Sequence, residues 1–416
     1  MIPLRFDYIP YPLWRRDMPA PLRPLARTLL RPFYPLDAET QPPTTPEALA
    51  DYLARWRLLP HGMTRDDARR GIAADDAAIA RAPAYPPPPH SAPIRLPAQW
   101  EPMERILLTF PVLYPPLWAA HAQMIAAITP VADVTVLVPA QAWASAIRFY
   151  LHTHGVRDLS RVEFLELPTD DIWVRDYGPF VGQYDDGNQA VVNARFEPLA
   201  AYPQAQDDAA AARWSAHAEV PMLTFDFLTE GGNYWSDGAG TLIVNDEMLA
   251  RHPDMTQADI ERKLREAFAF QKLIVLPRLL LEETGHIDLL CKLCDAQTIL
   301  LNQPNGALND ERLRAAADTL RRAHNAQGQP YTVIPLPFPR LYYNWGIYPV
   351  WRSYTNSLTV NGRVLVPIFG VGEDAQALDS YCRAMPQHTI IPIDCRLAAN
   401  GGGAVHCLTK EVPAGR

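Results

Sequence analysis

The sequence predicts an α/β fold, because short strands of apolar and β-branched residues alternate with stretches of helical spacing from residue 96 onward. These strands lack a polar face, which is typical of strands that are buried on both sides of a sheet. Nine of them stand out, at residues 106–110, 134–138, 162–167, 240–244, 273–276, 298–301, 332–335, 364–368 and 389–392.

Helix signals lie between several of these strands. Thr256 and Asp259 resemble a capping box, and residues 310–327 and 374–385 also have helical periodicity. The apolar stripe that follows Thr256 consists of Ile260, Leu264, Ala267 and Phe268. This alternation of strands and helices supports the α/β assignment.

Residues 1–95 differ from the rest, since they hold 18 of the 42 prolines. We expect a Pro-rich N-terminal extension, with an extended arm over the first 43 residues and a stiff linker at 85–93. One helix is expected to begin after Thr45, and a second after Thr64 to lead through Ile72 and Ile79. The predicted division is therefore 1–95 for the extension and 96–416 for a catalytic domain.

The composition excludes several classes of protein. The 416 residues carry a formal net charge of -8, and no basic stripe suggests a nucleic-acid partner. No run approaches the roughly 20 apolar residues of a membrane span, and residues 1–35 lack the order of a signal peptide. We therefore expect a cytoplasmic protein that binds neither nucleic acid nor membrane, and leave homo-oligomer formation open.

Five cysteines are too few for a disulfide scaffold. Cys291 and Cys294 form a C-x-x-C, but no second ligand pair stands nearby to complete a zinc site. The surrounding residues 289–294 are typical of a buried strand, so we interpret both cysteines as core thiols.

Four polar segments interrupt the strands, at residues 169–179, 229–238, 282–288 and 400–407. They contain carboxylates, a histidine and a cysteine at strand ends or glycine turns, where sites on α/β scaffolds usually lie. If strand alternation extends through them, His286 and Asp288 point into one pocket. The same alternation places Cys407 opposite His406, so we favour His286 as the working histidine and assign His406 a structural role.

In these four segments the chain resembles the bacterial agmatine and peptidylarginine deiminases of the guanidino-modifying pentein superfamily. The resemblance begins at Leu-Pro-Ala-Gln-Trp-Glu-Pro (96–102), runs to Thr-Lys-Glu-Val-Pro (409–413), and keeps the motifs in family order. It implies a five-bladed α/β-propeller of ββαβ units around one central site.

The resemblance also implies a role for each matching residue. Cys407 resembles the nucleophile, His286 the general acid and base, and Glu230 the residue that orients His286. Asp176 and Asp288 resemble the carboxylates that grip the guanidinium group. The predicted substrate-binding residues are Trp173, Asn356, Asp171 and Gly402.

These roles fit the chemistry of a guanidinium group, which two carboxylates can hold through paired N–H bonds while a thiolate attacks its carbon. The expected reaction is hydrolysis to a ureido product and ammonia through a covalent thiouronium, without metal or cofactor. An amidinotransferase and a non-catalytic arginine-binding protein stay open as alternatives.

The substrate is either a small guanidino compound or an arginine-containing peptide. The secreted peptidylarginine enzymes hold the substrate carboxylate with an arginine pair, but here only Arg195 stands near that position and Glu197 would repel a carboxylate. We therefore favour agmatine or a related small compound, with protein arginine as the alternative.

Overall fold

The computed structural model of the chain describes residues 43–75, 79–112, 114–156, 158–184, 186–196, 204–282, 284–306, 308–344 and 348–415. The extended arm expected for the first 43 residues lies outside this part of the chain, apart from its last residue. Glu197 and Glu283 also lie outside it.

The largest sheet joins strands from near the two ends of the described chain. Its strand order is β1-β4-β3-β2-β19, in which the first four strands are parallel and β19 runs antiparallel to β2. The strands are β1 (Ala80–Arg81), β2 (Met103–Thr109), β3 (Asp133–Val138), β4 (Val162–Glu166) and β19 (Lys410–Pro413). Helices Trp118–Ile128 and Gln141–Thr153 make the crossovers between β2, β3 and β4.

Four three-stranded sheets follow in the described chain, and each combines one antiparallel and one parallel pair. Their strands are β5 (Phe180–Gln183), β6 (Gln189–Arg195) and β7 (Met222–Leu228); β8 (Trp235–Ser236), β9 (Thr241–Asn245) and β10 (Lys272–Leu276); β11 (Cys291–Leu293), β12 (Thr298–Asn302) and β13 (Thr332–Leu336); β16 (Leu358–Val360), β17 (Arg363–Ile368) and β18 (Thr389–Asp394). A two-stranded ribbon, β14 (Tyr342–Asn344) with β15 (Tyr348–Val350), precedes the last of them.

Helices occupy the crossover between the parallel strands of each three-stranded sheet, because parallel neighbours need a long connection. These helices are Ala205–Asp208 and Ala210–His217, Glu247–Arg251 and Gln257–Leu264, Asp310–Arg322, and Asp374–Ala384. The result is a hairpin, a helical crossover and a parallel strand. This ββαβ order recurs in all four sheets, and the largest sheet has it too when β19 is counted as the partner of β2.

The nine predicted strands are confirmed, with ends that differ by at most three residues. The capping box at Thr256 and Asp259 is also confirmed, although its helix ends at Leu264 and the stripe residues beyond it are buried in a loop. The helix predicted for 310–327 is too long, since it ends at Arg322 and the chain then forms a bridge between His324 and Pro330. The prediction missed β1, β5 to β8, β14 to β16 and β19, and also the helices Trp118–Ile128, Gln141–Thr153, Val174–Tyr177, Ala205–Asp208, Ala210–His217 and Glu247–Arg251.

Two N-terminal helices, Pro46–Arg55 and Arg65–Ala73, begin at the predicted caps Thr45 and Thr64. They pack on the first sheet's helices: the Tyr52 hydroxyl donates to the Val112 carbonyl at 2.5 Å, and its ring meets the Trp143 ring edge-on at 5.2 Å. They thereby share one apolar core with that sheet.

The expectation that the second helix continues to Ile79 is wrong. It ends at Ala73, and Asp75 is bound outside the helix by Arg148, whose Nε lies 2.9 Å from the Asp75 carboxylate. Ile79 instead precedes β1, which adds an edge strand beside β4.

Within the described ranges, every helix is too short or too polar to cross a bilayer.

Candidate active site

The predicted catalytic side chains come from loops that flank different sheets, and the fold brings them together. Asp176 lies in the short helix Val174–Tyr177 between β4 and β5, and Glu230 follows β7. His286 immediately precedes the 3-10 turn Ile287–Leu289, which holds Asp288, and Cys407 precedes β19. All five residues are at least nine-tenths buried.

The imidazole of His286 lies between two carboxylates. Its Nε2 is 2.5 Å from Glu230 Oε2, and its Nδ1 is 3.4 Å from Asp176 Oδ1. The backbone N–H of Gly232 donates to Asp176 Oδ1 at 3.1 Å. A methyl group on Gly232 would lie 2.3 Å from His286 Nδ1 and 2.7 Å from Asp176 Oδ1, so this position requires glycine. The Glu-Gly-Gly segment therefore lets backbone and imidazole approach closely.

The charges around His286 favour its protonated form. Burial by itself would lower the pKa of His286, but the carboxylates of Asp176 and Glu230 outweigh it and raise the pKa to about 10. Burial likewise opposes ionisation of Glu230, yet the contacts with His286 and Arg251 hold the pKa of Glu230 below its usual value. Arg251 Nη1 lies 2.7 Å from Glu230 Oε1. The resting site therefore contains an imidazolium that can donate a proton.

The Asn356 side chain makes two hydrogen bonds to Cys407 and one to Ala404 in the same loop. Its Nδ2 donates to Cys407 Sγ at 3.0 Å, while its Oδ1 accepts from the backbone N–H groups of Cys407 at 3.2 Å and Ala404 at 3.0 Å. A donor aimed at sulfur favours the thiolate. Sequence reasoning expected Asn356 to contact the substrate, and the structure adds a direct contact with the thiol.

The surroundings of Cys407 favour the protonated thiol over the thiolate. Burial, followed by the carboxylates of Asp288 and Asp176, raises the pKa of this thiol well above its usual value, and the Asn356 hydrogen bond opposes the shift. Cys407 Sγ lies 3.6 Å from Asp288 Oδ2. A cation that binds between the carboxylates would remove the repulsion that disfavours the thiolate.

Asp176 and Asp288 are placed to bind such a cation. Burial is the main reason that the pKa of Asp176 is raised to about 6 and that of Asp288 to about 7, and His286 lowers both. Asp288 Oδ1 is buried without a hydrogen-bond partner among the described residues. Two buried carboxylates beside a thiol are stabilised when a cation binds next to them.

The strand alternation predicted for these motifs is wrong. Residues 287–289 form a 3-10 turn, and residues 405–408 form turns in which the Leu408 N–H donates to the Ala404 carbonyl. Successive residues therefore do not alternate, and His406 and Cys407 both face Asp288, at 2.6 Å for His406 Nδ1 and 3.6 Å for Cys407 Sγ.

The remaining predicted substrate-binding residues lie around the thiol with different contacts. Trp173 is partly buried against the glycine loop, where a methyl group on Gly403 would lie 2.6 Å from the Trp173 ring and 2.7 Å from Cys407 Cβ. Gly402 has open space around it and a φ of 91°, so its glycine serves the backbone turn. Asp171 accepts a hydrogen bond from the Ile172 N–H at 2.7 Å. Substrate contacts for these residues stay predictions.

Sequence reasoning missed several residues that support the site. Arg251, the partner of Glu230, carries no local signal because it lies in the separate helix Glu247–Arg251. Lys292 was interpreted as part of a plain core strand, yet it is fully buried and donates to Gln99 Oε1 at 2.6 Å. A lysine between two buried cysteines was the signal that could have revealed it, since a buried ammonium group needs a partner.

The two cysteines of the C-x-x-C are core thiols, as predicted. Cys291 and Cys294 are buried and free of disulfides, as expected for core thiols. Burial raises the pKa of both, that of Cys294 to about 12, so neither is a reactive thiolate.

The arrangement can bind a planar cation between Asp176 and Asp288, present a sulfur atom to its carbon, and donate a proton from His286. These are the requirements for nucleophilic substitution at a guanidinium group.

Known proteins are similar to this chain in sequence. The family model described as Porphyromonas-type peptidyl-arginine deiminase matches residues 95–413. The agmatine deiminase of Pseudomonas aeruginosa strain LESB58 is 31% identical over 367 residues, which cover 79% of this chain and 98% of that protein.

Solved structures show the same fold. An agmatine deiminase of Enterococcus faecalis matches with a TM-score of 0.70 at 24% identity, covering 77% of this chain and 96% of its own. An agmatine deiminase of C. jejuni with substrate bound matches with a TM-score of 0.67 at 21% identity, covering 77% and 97%. At these identities, the likeness establishes the α/β fold.

Proposed function

The chain belongs to the Porphyromonas-type peptidyl-arginine deiminase family, which includes the agmatine deiminases, and from this premise we propose that it hydrolyses the guanidinium group of agmatine or a related arginine-like compound. The products are a ureido compound and ammonia. Cys407 acts as nucleophile, His286 as general acid and base, and Asp176 and Asp288 as the carboxylates that hold the substrate.

The observation that carries the proposal is the convergence of four buried groups from distant segments. Cys407 Sγ is 3.6 Å from Asp288, and His286 is 3.4 Å from Asp176. Burial and nearby carboxylates disfavour ionisation of the thiol unless a cation binds in the site. The guanidinium group is a cation at every physiological pH.

The proposed reaction begins when the guanidinium group binds between Asp176 and Asp288 through paired N–H bonds. The substrate's charge lowers the pKa of Cys407, the thiol proton passes to solvent, and the thiolate sulfur attacks the guanidinium carbon. His286 gives its proton to one terminal nitrogen of the tetrahedral adduct. The C–N bond breaks, and ammonia leaves a covalent thiouronium.

Hydrolysis of that intermediate returns the site to its starting state. Neutral His286 removes a proton from water, and the hydroxide adds to the same carbon. The C–S bond then breaks, the hydroxyl proton of the adduct passes to the departing sulfur, the ureido product leaves, and Cys407 returns as the thiol. Glu230 stabilises the imidazolium that forms each time, at 2.5 Å from Nε2.

The contact made by Arg195 favours a substrate that has no carboxylate for this arginine to bind. Its Nη1 lies 3.3 Å from Asp226 Oδ1, and both side chains are more than half exposed. This arginine is thus engaged with an acidic neighbour at the end of β6. We therefore place agmatine or a similar small guanidino compound ahead of peptidyl-arginine, the substrate class in the family's name.

We also propose that the five ββαβ units close into a five-bladed propeller around the site, and that residues 96–416 form its catalytic domain with 1–95 as an extension. Support for closure comes from β19, the last strand of the described chain, which pairs with β2 of the first unit.

The test of function is an ammonia-release screen over agmatine, arginine, methylated arginines, and peptides with internal or C-terminal arginine. We expect release from agmatine, and a Cys407 adduct by mass spectrometry of the quenched enzyme. Cys407→Ser should abolish both, whereas Cys382→Ser, at an exposed cysteine, should change neither.

Other outcomes would reassign the protein. Release only when an amine is added would make it an amidinotransferase. Binding of guanidino compounds without turnover or adduct would make it a binding protein, and preference for peptides would move it to the peptidyl-arginine class.

A further inference from the structure

A row of buried hydrogen bonds connects the ammonium group of Lys292 to the carboxylate of Asp288. Lys292 Nζ donates to Gln99 Oε1 at 2.6 Å, Gln99 Nε2 lies 2.8 Å from His406 Nε2, and His406 Nδ1 lies 2.6 Å from Asp288 Oδ2. Each of these four residues is at most 4% exposed. The proposed reaction gives a role to Asp288 but none to Lys292, Gln99 or His406.

The orientation of the Gln99 amide is fixed by its neighbours. Its Oε1 accepts from Lys292 Nζ and also from the Thr359 backbone N–H at 3.2 Å. Turning the amide over would place its NH₂ group against an ammonium group and an N–H, which are both donors. Nε2 of Gln99 is therefore the atom that faces His406, and it is a donor.

The donor from Gln99 selects one tautomer of His406. Because Gln99 Nε2 donates, His406 Nε2 has to accept and carries no proton. The ring proton is then on Nδ1, where it is donated to Asp288 Oδ2. Trp235 supports this geometry, since its ring lies 4.7 Å from the His406 ring and 4.5 Å from Lys292 Nζ.

We propose that His406 is a positioning residue, which as a neutral Nδ1–H imidazole fixes the Asp288 carboxylate for the substrate. It keeps Oδ2 engaged beside Cys407 and leaves Oδ1, which has no partner in the described residues, for a guanidinium N–H. Gln99 and Lys292 act through His406 by selecting its tautomer. The assignment rests on the proposed function for the identity of the cation.

The neutrality of His406 matters for binding. An imidazolium at 2.6 Å from Asp288 would neutralise the charge that the carboxylate offers to a cation. Burial, and then the positive charges of Arg175, Lys292 and Lys410, lower the pKa of His406 well below its usual value, in agreement with the tautomer that the hydrogen bonds require.

The first test measures the tautomer directly, in wild-type protein labelled with ¹⁵N-histidine at pH 7. We expect one histidine with the Nδ1–H tautomer whose signals disappear in His406→Asn. An Nε2–H tautomer or an imidazolium at this position would overturn the proposal. This measurement does not depend on turnover, so it stands even if every guanidino compound in the ammonia screen proves inert.

The second test compares two substitutions. Asparagine places an amide N–H close to where Nδ1 lies, so His406→Asn should keep kcat/KM for agmatine within about threefold of wild type. His406→Leu fills similar space without a donor and should lower kcat/KM by about 10- to 150-fold, mostly through KM, the range expected for a lost hydrogen bond to a charged group.

Thermal unfolding of both variants separates positioning from packing. Both lose the contact with Gln99, so a purely structural role predicts activity that follows Tm in both. Equal losses of kcat/KM in the two variants would contradict the proposal. Ammonia release by wild type reports on the proposed function separately.

Discussion

Glu230→Gln tests whether a buried charge pair sets the protonation of His286, the proposed general acid and base. The substitution keeps the shape of the side chain and a polar atom near His286 Nε2, but removes the negative charge at 2.5 Å. It also leaves Arg251, 2.7 Å from Glu230, without that partner. Both changes disfavour the imidazolium, so the pKa of His286 should fall.

The size of the fall follows from the contact. A hydrogen bond to a charged group contributes about 1.5–3 kcal/mol, and one pKa unit corresponds to about 1.36 kcal/mol. The pKa of His286 should therefore drop by about 1–2 units from its value of about 10. In the proposed reaction His286 has to be protonated to expel ammonia. Activity should therefore be lost as pH rises through this pKa, and the variant should lose activity at lower pH than wild type.

The assay is the pH dependence of kcat/KM, which reports the ionisations of the free enzyme. The alkaline limb should move down by about 1–2 units, while guanidinium substrates stay protonated throughout the range. Glu247→Gln is the matched control, since Glu247 binds Arg251 at 3.2 Å without contacting His286. An alkaline limb that stays in place in Glu230→Gln, or moves equally in the control, would refute the reasoning.

Four further predictions concern the other groups of the site. Cys407→Ser should abolish ureido product while calorimetric binding of agmatine survives, and product at the wild-type rate would contradict the nucleophile assignment. Asp176→Asn should lower kcat/KM by about 10- to 150-fold through the lost charged hydrogen bonds, and unchanged kinetics would remove Asp176 from the site. In wild type, kcat/KM should decline as pH falls from about 7 to about 6, since Asp288 and then Asp176 become neutral and release the cation; a flat profile there would count against both. Gly232→Ala should inactivate the enzyme by displacing the His286 ring, whereas Gly372→Ala, in open space, should be silent.

Much of the fold was predictable because its buried strands are apolar on both faces. β3 and β17 were found for this reason, with almost all of their residues buried. β7 was missed because its exposed Thr224 and Asp226 alternate with buried Phe225 and Phe227 and interrupt the apolar run. Its signal was a period of two, which a search for continuous apolar residues does not detect.

The sequence predicted residues that the structure brings together at the candidate site, but not the geometry in which they meet. The family motifs identified Cys407, His286 and Asp288, and the fold brings them together. Treating the motifs as strands gave the wrong face for His406, because glycines and short turns break the alternation. Local periodicity is informative only where the backbone is regular, and active-site loops are not regular.

The sequence does not show which residue is the hydrogen-bond partner of a buried charged side chain. Lys292 and Gln99 are 193 positions apart and meet only when β11 packs beside the segment before β2. A fully buried lysine nevertheless has to be paired, and burial lowers the pKa of Lys292 to about 7, so that losing Gln99 Oε1 would favour the neutral amine. The sequence could therefore predict that a partner exists without predicting which one.

Because the same glutamine also selects the tautomer of His406, Gln99→Leu should act on both ends of the row: it leaves Lys292 without an acceptor and lets the His406 proton move to Nε2. If ¹⁵N spectra of Gln99→Leu still show the pure Nδ1–H tautomer, Asp288 alone fixes the ring, and the buried lysine has no part in arranging the site.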